Sequence, residues 1–267
     1  MKLRAFAAIF LAVSLIFTGC TGPKPQTYTK KESSSYWEEL VELSGVPELH
    51  IEIDSGHLEI YSWERKAVKL EITKRIRSAE NDTADKDKFK NFYSDVERHD
   101  NNIFFKSAYK GKIRGTDLAE VNLRAFIPRK VSEISCKIQR GSIKLFDDLK
   151  CDFTAELGTV STEIKYFEGN MNLEADSGSL RIEDGRIRGG MSVSIDTGNI
   201  YIKSSIDERG KYTLSTKAGN IDVRLPADSK VSFDNVGTVE VNEFTVNTYD
   251  TKIKLDSGIG RIFATKY

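Results

Sequence analysis

Through the C-terminal half of the chain, apolar and polar residues alternate on both sides of a recurring glycine. Around Gly198 the apolar positions are Val193, Ile195, Ile200 and Ile202, five and three residues before it and two and four after it. Leu173, Ala175, Leu180 and Ile182 frame Gly178 in the same way, and Cys136, Ile138, Ile143 and Leu145 frame Gly141. Gly158, Gly219, Gly237 and Gly258 keep most of the frame, with Thr162, Thr216 and Gly260 where an apolar residue is expected. Before Gly237 the apolar pair, Val231 and Phe233, is shifted by one residue. These seven glycines lie 17, 20, 20, 21, 18 and 21 residues apart, an internal repeat.

Alternation with period two predicts two half-buried strands per unit, joined at a corner where glycine supplies the backbone conformation. A unit this short cannot bury its apolar face alone. Copies must stack, each strand pairing with its equivalent in the next unit at about 4.8 Å. The predicted fold is all-β, a parallel β-helix-like β-solenoid of about twenty-residue repeats over 129–267, within a domain spanning 36–267.

Residues 36–128 form a less regular N-terminal part. Ile51, Ile53, Leu58 and Ile60 frame Gly56 as an outlying copy of the unit, and "AVKLEITKRIR" continues as strand. Phe89, Phe92, Tyr93 and Val96 fall at helical spacing among charges and predict one short helical insertion on the sheet edge. "NIFFKSAY" and "AEVNLRAFIP" return to strand, the second stopped by Pro128.

The first nineteen residues read as an export signal. Lys2 and Arg4 precede an apolar run from Ala5 to Phe17 that is too short to favour a membrane span. The run ends in "FTGC", which resembles the lipobox of bacterial lipoproteins, with Phe17 where leucine is usual. That resemblance implies a lipid on Cys20, the new N-terminus, and anchorage to the bacterial cell membrane on its extracytoplasmic side. Residues 20–35, polar and rich in Pro, Lys and Ser, read as a tether.

Composition narrows the function classes. With 39% hydrophobic residues the chain can bury a sizeable core. Its 40 basic and 40 acidic side chains give no electrostatic reason to expect nucleic acid as a partner.

Asp196-Thr197-Gly198 spells the active-site triplet of aspartic proteases, and Asp54-Ser55-Gly56, Asp176-Ser177-Gly178 and Asp256-Ser257-Gly258 echo it. That chemistry needs two such loops face to face, with carboxylates close enough to share a proton. Here the equivalent repeat positions also carry Gln139, Glu156, Lys217 and Asn235, so the aspartates read as turn residues. Stacked in register, Glu156, Asp176 and Asp196 form the one candidate metal column, short of ligands for Ca²⁺. His50, His57 and His99 show no metal-ligand spacing, and no cofactor is expected. Cys136 and Cys151 read as buried free thiols.

A lipoprotein start, a glycine-centred strand, a charged helical insertion, a strand ending in "FIP" and glycine-centred repeats to the C-terminus resemble a bacterial putative-adhesin lipoprotein family, domain of unknown function 4097. The resemblance implies a right-handed β-helix-like envelope domain without established catalysis, linked to adhesion or envelope-stress signalling. A non-catalytic surface for an unknown envelope protein or glycan is the expected function. The alternative is a carbohydrate-active β-helix enzyme, which would need carboxylates grouped in a walled groove. The outward column three residues after each glycine, Lys144, Ser161, Arg181, Tyr201, Asp222, Glu240 and Arg261, reads instead as a solvated face.

Overall fold

The computed structural model describes residues 31–78, 85–113 and 117–267. Its strands, joined in one large sheet, are β1 (Lys31–Glu42), β2 (Glu48–Trp63), β3 (Ala67–Ser78), β4 (Phe92–His99), β5 (Asn102–Tyr109), β6 (Leu118–Pro128), β7 (Lys130–Ile182), β8 (Gly185–Thr197), β9 (Ile200–Lys203), β10 (Ser205–Ile206), β11 (Lys211–Ala218), β12 (Ile221–Leu225), β13 (Ser232–Asn242) and β14 (Lys252–Lys266). Helix α1 (Asp85–Phe89) is the single helix among the described residues. The export signal and Cys20 lie outside them.

The repeat frame appears as parallel pairing at the predicted offset. Leu173 faces Val193 and Ala175 faces Ile195; Val193 in turn faces Leu214, and Leu180 faces Ile200. Every inward side chain around Gly198 is at most 2% exposed. Burial of four such side chains per unit contributes roughly 1.5–3 kcal/mol each, and chain entropy offsets most of it.

The corners fix how the units stack. Gly178 has φ of 134°, and a Cβ built on it would lie 1.8 Å from the Val160 carbonyl oxygen. On Gly198 the same atom would meet Gly178 O at 1.5 Å, and on Gly260 it would meet Gly219 O at 1.9 Å. Each of these glycine corners therefore rests on the carbonyl of its neighbour, with no space for a side chain. Two expected corners are displaced by this contact. In the third unit the corner is Val160, two residues after Gly158, and in the last it is Gly260, two residues after Gly258. Thr216 occupies an apolar position because its hydroxyl donates to Gly198 O at 3.0 Å, and Ser257 does the same to Gly219 O at 2.9 Å.

Spatial order also departs from chain order. β14 pairs with both β11 and β12, at Leu214↔Leu255 and Ile221↔Ile262, so the last unit inserts beside the Gly219 unit. β13, the Gly237 unit, is displaced to the far side of β14, with two register shifts. Phe233 is its inward anchor and packs on Phe244, ring centroids 5.3 Å apart.

At the other end, the outlying unit is outlying only in sequence. β2 lies parallel to the start of β7, with Gly56 opposite Gly141. The fold is nonetheless not uniformly parallel, because β1 and β3 pair antiparallel, as do β3 and β6, and β4 and β5. β1 begins at Lys31, so residues 31–35 belong to a strand instead of the expected tether. The helical insertion is also shorter than expected. Phe92, Tyr93 and Val96 lie in β4, opposite Tyr109, Ala108 and Phe105, because a tight turn at Asp100 (φ 58°) lets that segment complete a hairpin.

Gly178→Ala is expected to cost roughly 2–4 kcal/mol of stability, since the new Cβ collides with backbone. Gly190→Ala, whose Cβ has only Lys211 O at 3.0 Å as its nearest neighbour, should cost about 1 kcal/mol or less. Denaturant unfolding of the two variants reads the difference; equal costs would contradict the corner contact.

Candidate functional site

Outward side chains of successive units form columns across the sheet, and the corner phase decides which residues share one. Four positions before the corner, Lys106 pairs with Glu52 at 2.8 Å and Lys137 with Glu156 at 3.0 Å, while Glu52 and Lys137 are themselves register neighbours. Three positions after it, Arg124 pairs with Glu59 at 2.9 Å and Lys144 with Glu163 at 3.3 Å, and the Arg181 guanidinium lies 4.3 Å from the Tyr201 ring centroid. The expected column through Ser161 is thus replaced by one through Glu163. One position after the corner, Asn199 accepts the Asn220 amide at 2.8 Å, and Asn220 accepts that of Arg261 at 2.9 Å. At these positions the paired side chains are satisfied by cross-strand neighbours of opposite charge or complementary hydrogen bonding.

A further column, six positions before the corner, behaves differently. It opens with Phe104 of β5 and His50 of β2, stacked at 4.6 Å and 12°. It continues through Ser135, Thr154, Asn172, Ser192 and Thr213. None of these five side chains has a side-chain partner among the described residues. Thr154, Asn172, Ser192 and Thr213 line a groove of about 520 Å³, floored by strand backbone at Phe153, Met171 and Met191, whose side chains are buried in the core. Ser135 lines an adjoining pocket of about 330 Å³ with His50, Phe104, Tyr93, Asp95 and Glu97. Sequence reasoning missed this column. Its signal was a run of Ser, Asn and Thr at one repeat position, legible once that position is read down the units.

The expected metal column is rearranged by the shifted corner. Asp176 and Asp196 are neighbours, but Glu156 falls two positions away, in the column of Glu174. All four carboxylates line a shallow depression of about 280 Å³. Lys137 bonds Glu156 at 3.0 Å, and Lys217 bonds Asp196 at 2.6 Å. Among the described residues no group of three or more His, Cys, Asp or Glu is arranged to hold a metal ion. The triplet aspartates do not face one another: Asp54, Asp176 and Asp196 share one column, and Asp256 belongs to the next.

One constellation with catalytic side-chain types comes together across the corners. Ser142 Oγ lies 2.8 Å from His57 Nδ1, and His57 Nε2 lies 3.8 Å from Glu120. A nucleophile needs its base oriented by a hydrogen bond and a cavity with oxyanion donors beside it. Here Glu120 is held by Arg75 at 3.0 Å, the imidazole stands beyond its hydrogen-bond reach, and the backbones of His57 and Ser142 are paired in the β2–β7 ladder. The trio ties β2, β6 and β7 together. His99 meets Phe104 edge-on at 5.7 Å. Cys136 and Cys151 are buried free thiols; burial pushes the Cys136 thiol well up and that of Cys151 to about 12, which leaves both inert as nucleophiles.

No family model matches the sequence, and no curated protein matches it. Solved structures to which the chain is similar include a putative cell adhesion protein from Clostridium sporogenes (16% identity, 88% of this chain and 100% of that chain covered, TM-score 0.35). Others are a putative adhesin from Bacteroides fragilis (13%, 87% and 97%, TM-score 0.48) and a putative lipid binding protein from Parabacteroides distasonis (12%, 87% and 96%, TM-score 0.28).

A charged network around Glu168 shows how strongly an outward carboxylate depends on pairing. Glu168, with its side chain 8% exposed, accepts from Lys150 at 2.8 Å and contacts Arg188. The Lys150 ammonium, helped by Arg188, holds the Glu168 carboxyl below its usual range against the opposing effect of burial. A depressed folded-state pKa stabilises fully above the unfolded value of about 4.3 and is lost as pH falls through the folded value. Glu168→Gln is therefore expected to lower stability by about 1–2 kcal/mol at neutral pH. Chemical denaturation across pH should show the gap to the parent closing below about pH 4; a pH-independent gap would contradict the pairing.

Proposed function

We propose that this chain is a lipid-anchored, non-catalytic bacterial envelope protein whose repeat domain presents a binding face to a protein or glycan. In this reading Cys20 carries the lipid and the polar segment after it holds the domain off the extracytoplasmic face of the membrane. The repeats form a right-handed β-solenoid of the domain-of-unknown-function-4097 type, capped at its N-terminal end by antiparallel strands. No helix among the described residues is long and apolar enough to cross a membrane.

The observation that carries the reading is the contrast between columns. Natural sheets pair outward charges across strands, and this one does so between Lys106 and Glu52, Lys137 and Glu156, Arg124 and Glu59, and Lys144 and Glu163. Thr154, Asn172, Ser192 and Thr213 along the groove, and Ser135 in the adjoining pocket, instead have no side-chain partner among the described residues. A rigid array of unused donors and acceptors on a repeat scaffold is what an extended binding surface requires.

The double variant Asn172→Lys with Ser192→Glu tests the proposal, because it fills the groove while continuing the opposite-charge pattern of its neighbours. It should keep parental circular dichroism and unfolding midpoint. The mature parent protein should be retained on an envelope fraction from the cells that encode it, and the variant should lose at least about ten-fold in retention. Equal retention would remove the groove from the function, and shortening of envelope polysaccharide by the parent protein would favour the enzymatic alternative.

A further inference from the structure

We infer that the occupant of this groove is an extended, uncharged glycan chain lying across the strands, with an end seated in the His50, Phe104 and Tyr93 pocket. The inference rests on the binding reading above and adds the chemical class and direction of the ligand.

Three features select a glycan. The first is donor chemistry: Ser and Thr hydroxyls and the Asn amide each donate and accept, as sugar hydroxyls do. The second is spacing. One such group recurs at each unit, about 4.8 Å apart, which is close to the ring-to-ring step of an extended pyranose polymer. A peptide advances about 3.3 Å per residue and draws its affinity from free backbone groups at a sheet edge. Here the groove lies on a sheet face whose backbone is already paired in parallel ladders. The third is the aromatic end. Tyr93 is 40% exposed and Phe104 half-buried against His50, so apolar surface for the C–H face of a sugar lies beside carboxylates that can accept its hydroxyls.

The floor of the groove is shaped for a bulky chain. A register shift marks a bulge in β8, where Arg188, Gly189 and Gly190 stand against Asn170 alone. Bulges re-aim side chains beside functional surfaces. Gly190 lines the groove without a side chain, while the side chains of Met171 and Met191 turn into the core and leave strand backbone as the groove's base. A polyanion would need a row of cations to replace its counterions. The groove lining offers Lys211 against Glu133 and Asp152.

The test uses the mature protein and polysaccharide purified from the envelope of the cells that encode it, sized into oligosaccharides, with titration calorimetry and retention as readouts. Affinity should rise by at least about ten-fold from disaccharide to hexasaccharide. It should fall by at least about ten-fold in the Asn172→Lys, Ser192→Glu variant, and by a few-fold in Tyr93→Ala. Periodate oxidation of the polysaccharide should abolish it. Groove-dependent retention that survives periodate and is lost on protease treatment of the envelope fraction would overturn the glycan assignment while leaving the binding face intact. Absence of any groove-dependent retention would remove both.

Discussion

The close approach of one backbone carbonyl to the next corner is the constraint on which the rest of this structure depends. At Gly178, Gly198, Gly219 and Gly260 the space a Cβ would occupy is filled by a carbonyl oxygen of the neighbouring unit, at 1.9 Å or less. That contact is possible only for glycine in the extended positive-φ region, and it sets the phase of each unit that turns at glycine; the Val160 corner takes part by supplying the carbonyl under Gly178. The hydrophobic core follows, because inward residues then superimpose. So does the pairing of the outward side chains, since Lys137 meets Glu156 and Lys144 meets Glu163 only in this phase.

Self-pairing of the charged columns gives the uncharged one its meaning. Lys and Glu of adjacent strands neutralise each other and present solvated faces with little left to offer a ligand. The Ser, Thr and Asn column carries no charge and has no side-chain partner among the described residues, and it lies over a groove where Gly190 withholds a side chain. Its continuity with the His50–Phe104 stack joins a polar track to an aromatic end. The acidic residues that drew attention as a metal column are, by contrast, anchored at both ends by Lys137 and Lys217.

The unit itself was legible in the sequence because period-two alternation and a recurring glycine are both local signals. The exact phase was not. A shift of two residues leaves the inward and outward parity of a strand unchanged, so the pattern around Gly158 or Gly258 reads equally well from Val160 or Gly260. Only the carbonyl contact distinguishes them. The order of the last two units was hidden for a different reason: alternation specifies which face is buried and says nothing of which neighbour lies beside it. Phe89, Phe92, Tyr93 and Val96 satisfied a helical period by coincidence, and the hairpin partner that claimed three of them lies beyond the turn at Asp100. The pocket at His50 and Phe104 joins residues far apart in the chain through the parallel β2–β5 pairing, which no local pattern announces.

Interstrand nuclear Overhauser contacts in isotopically labelled protein test the stacking most directly. The backbone of Thr213 should contact Ser192 on one side and Lys254 on the other, as the corner contacts require. Contacts from Thr213 to the unit that follows it in the chain, around Ser232 and Asp234, would contradict the phase, the paired columns and the groove together.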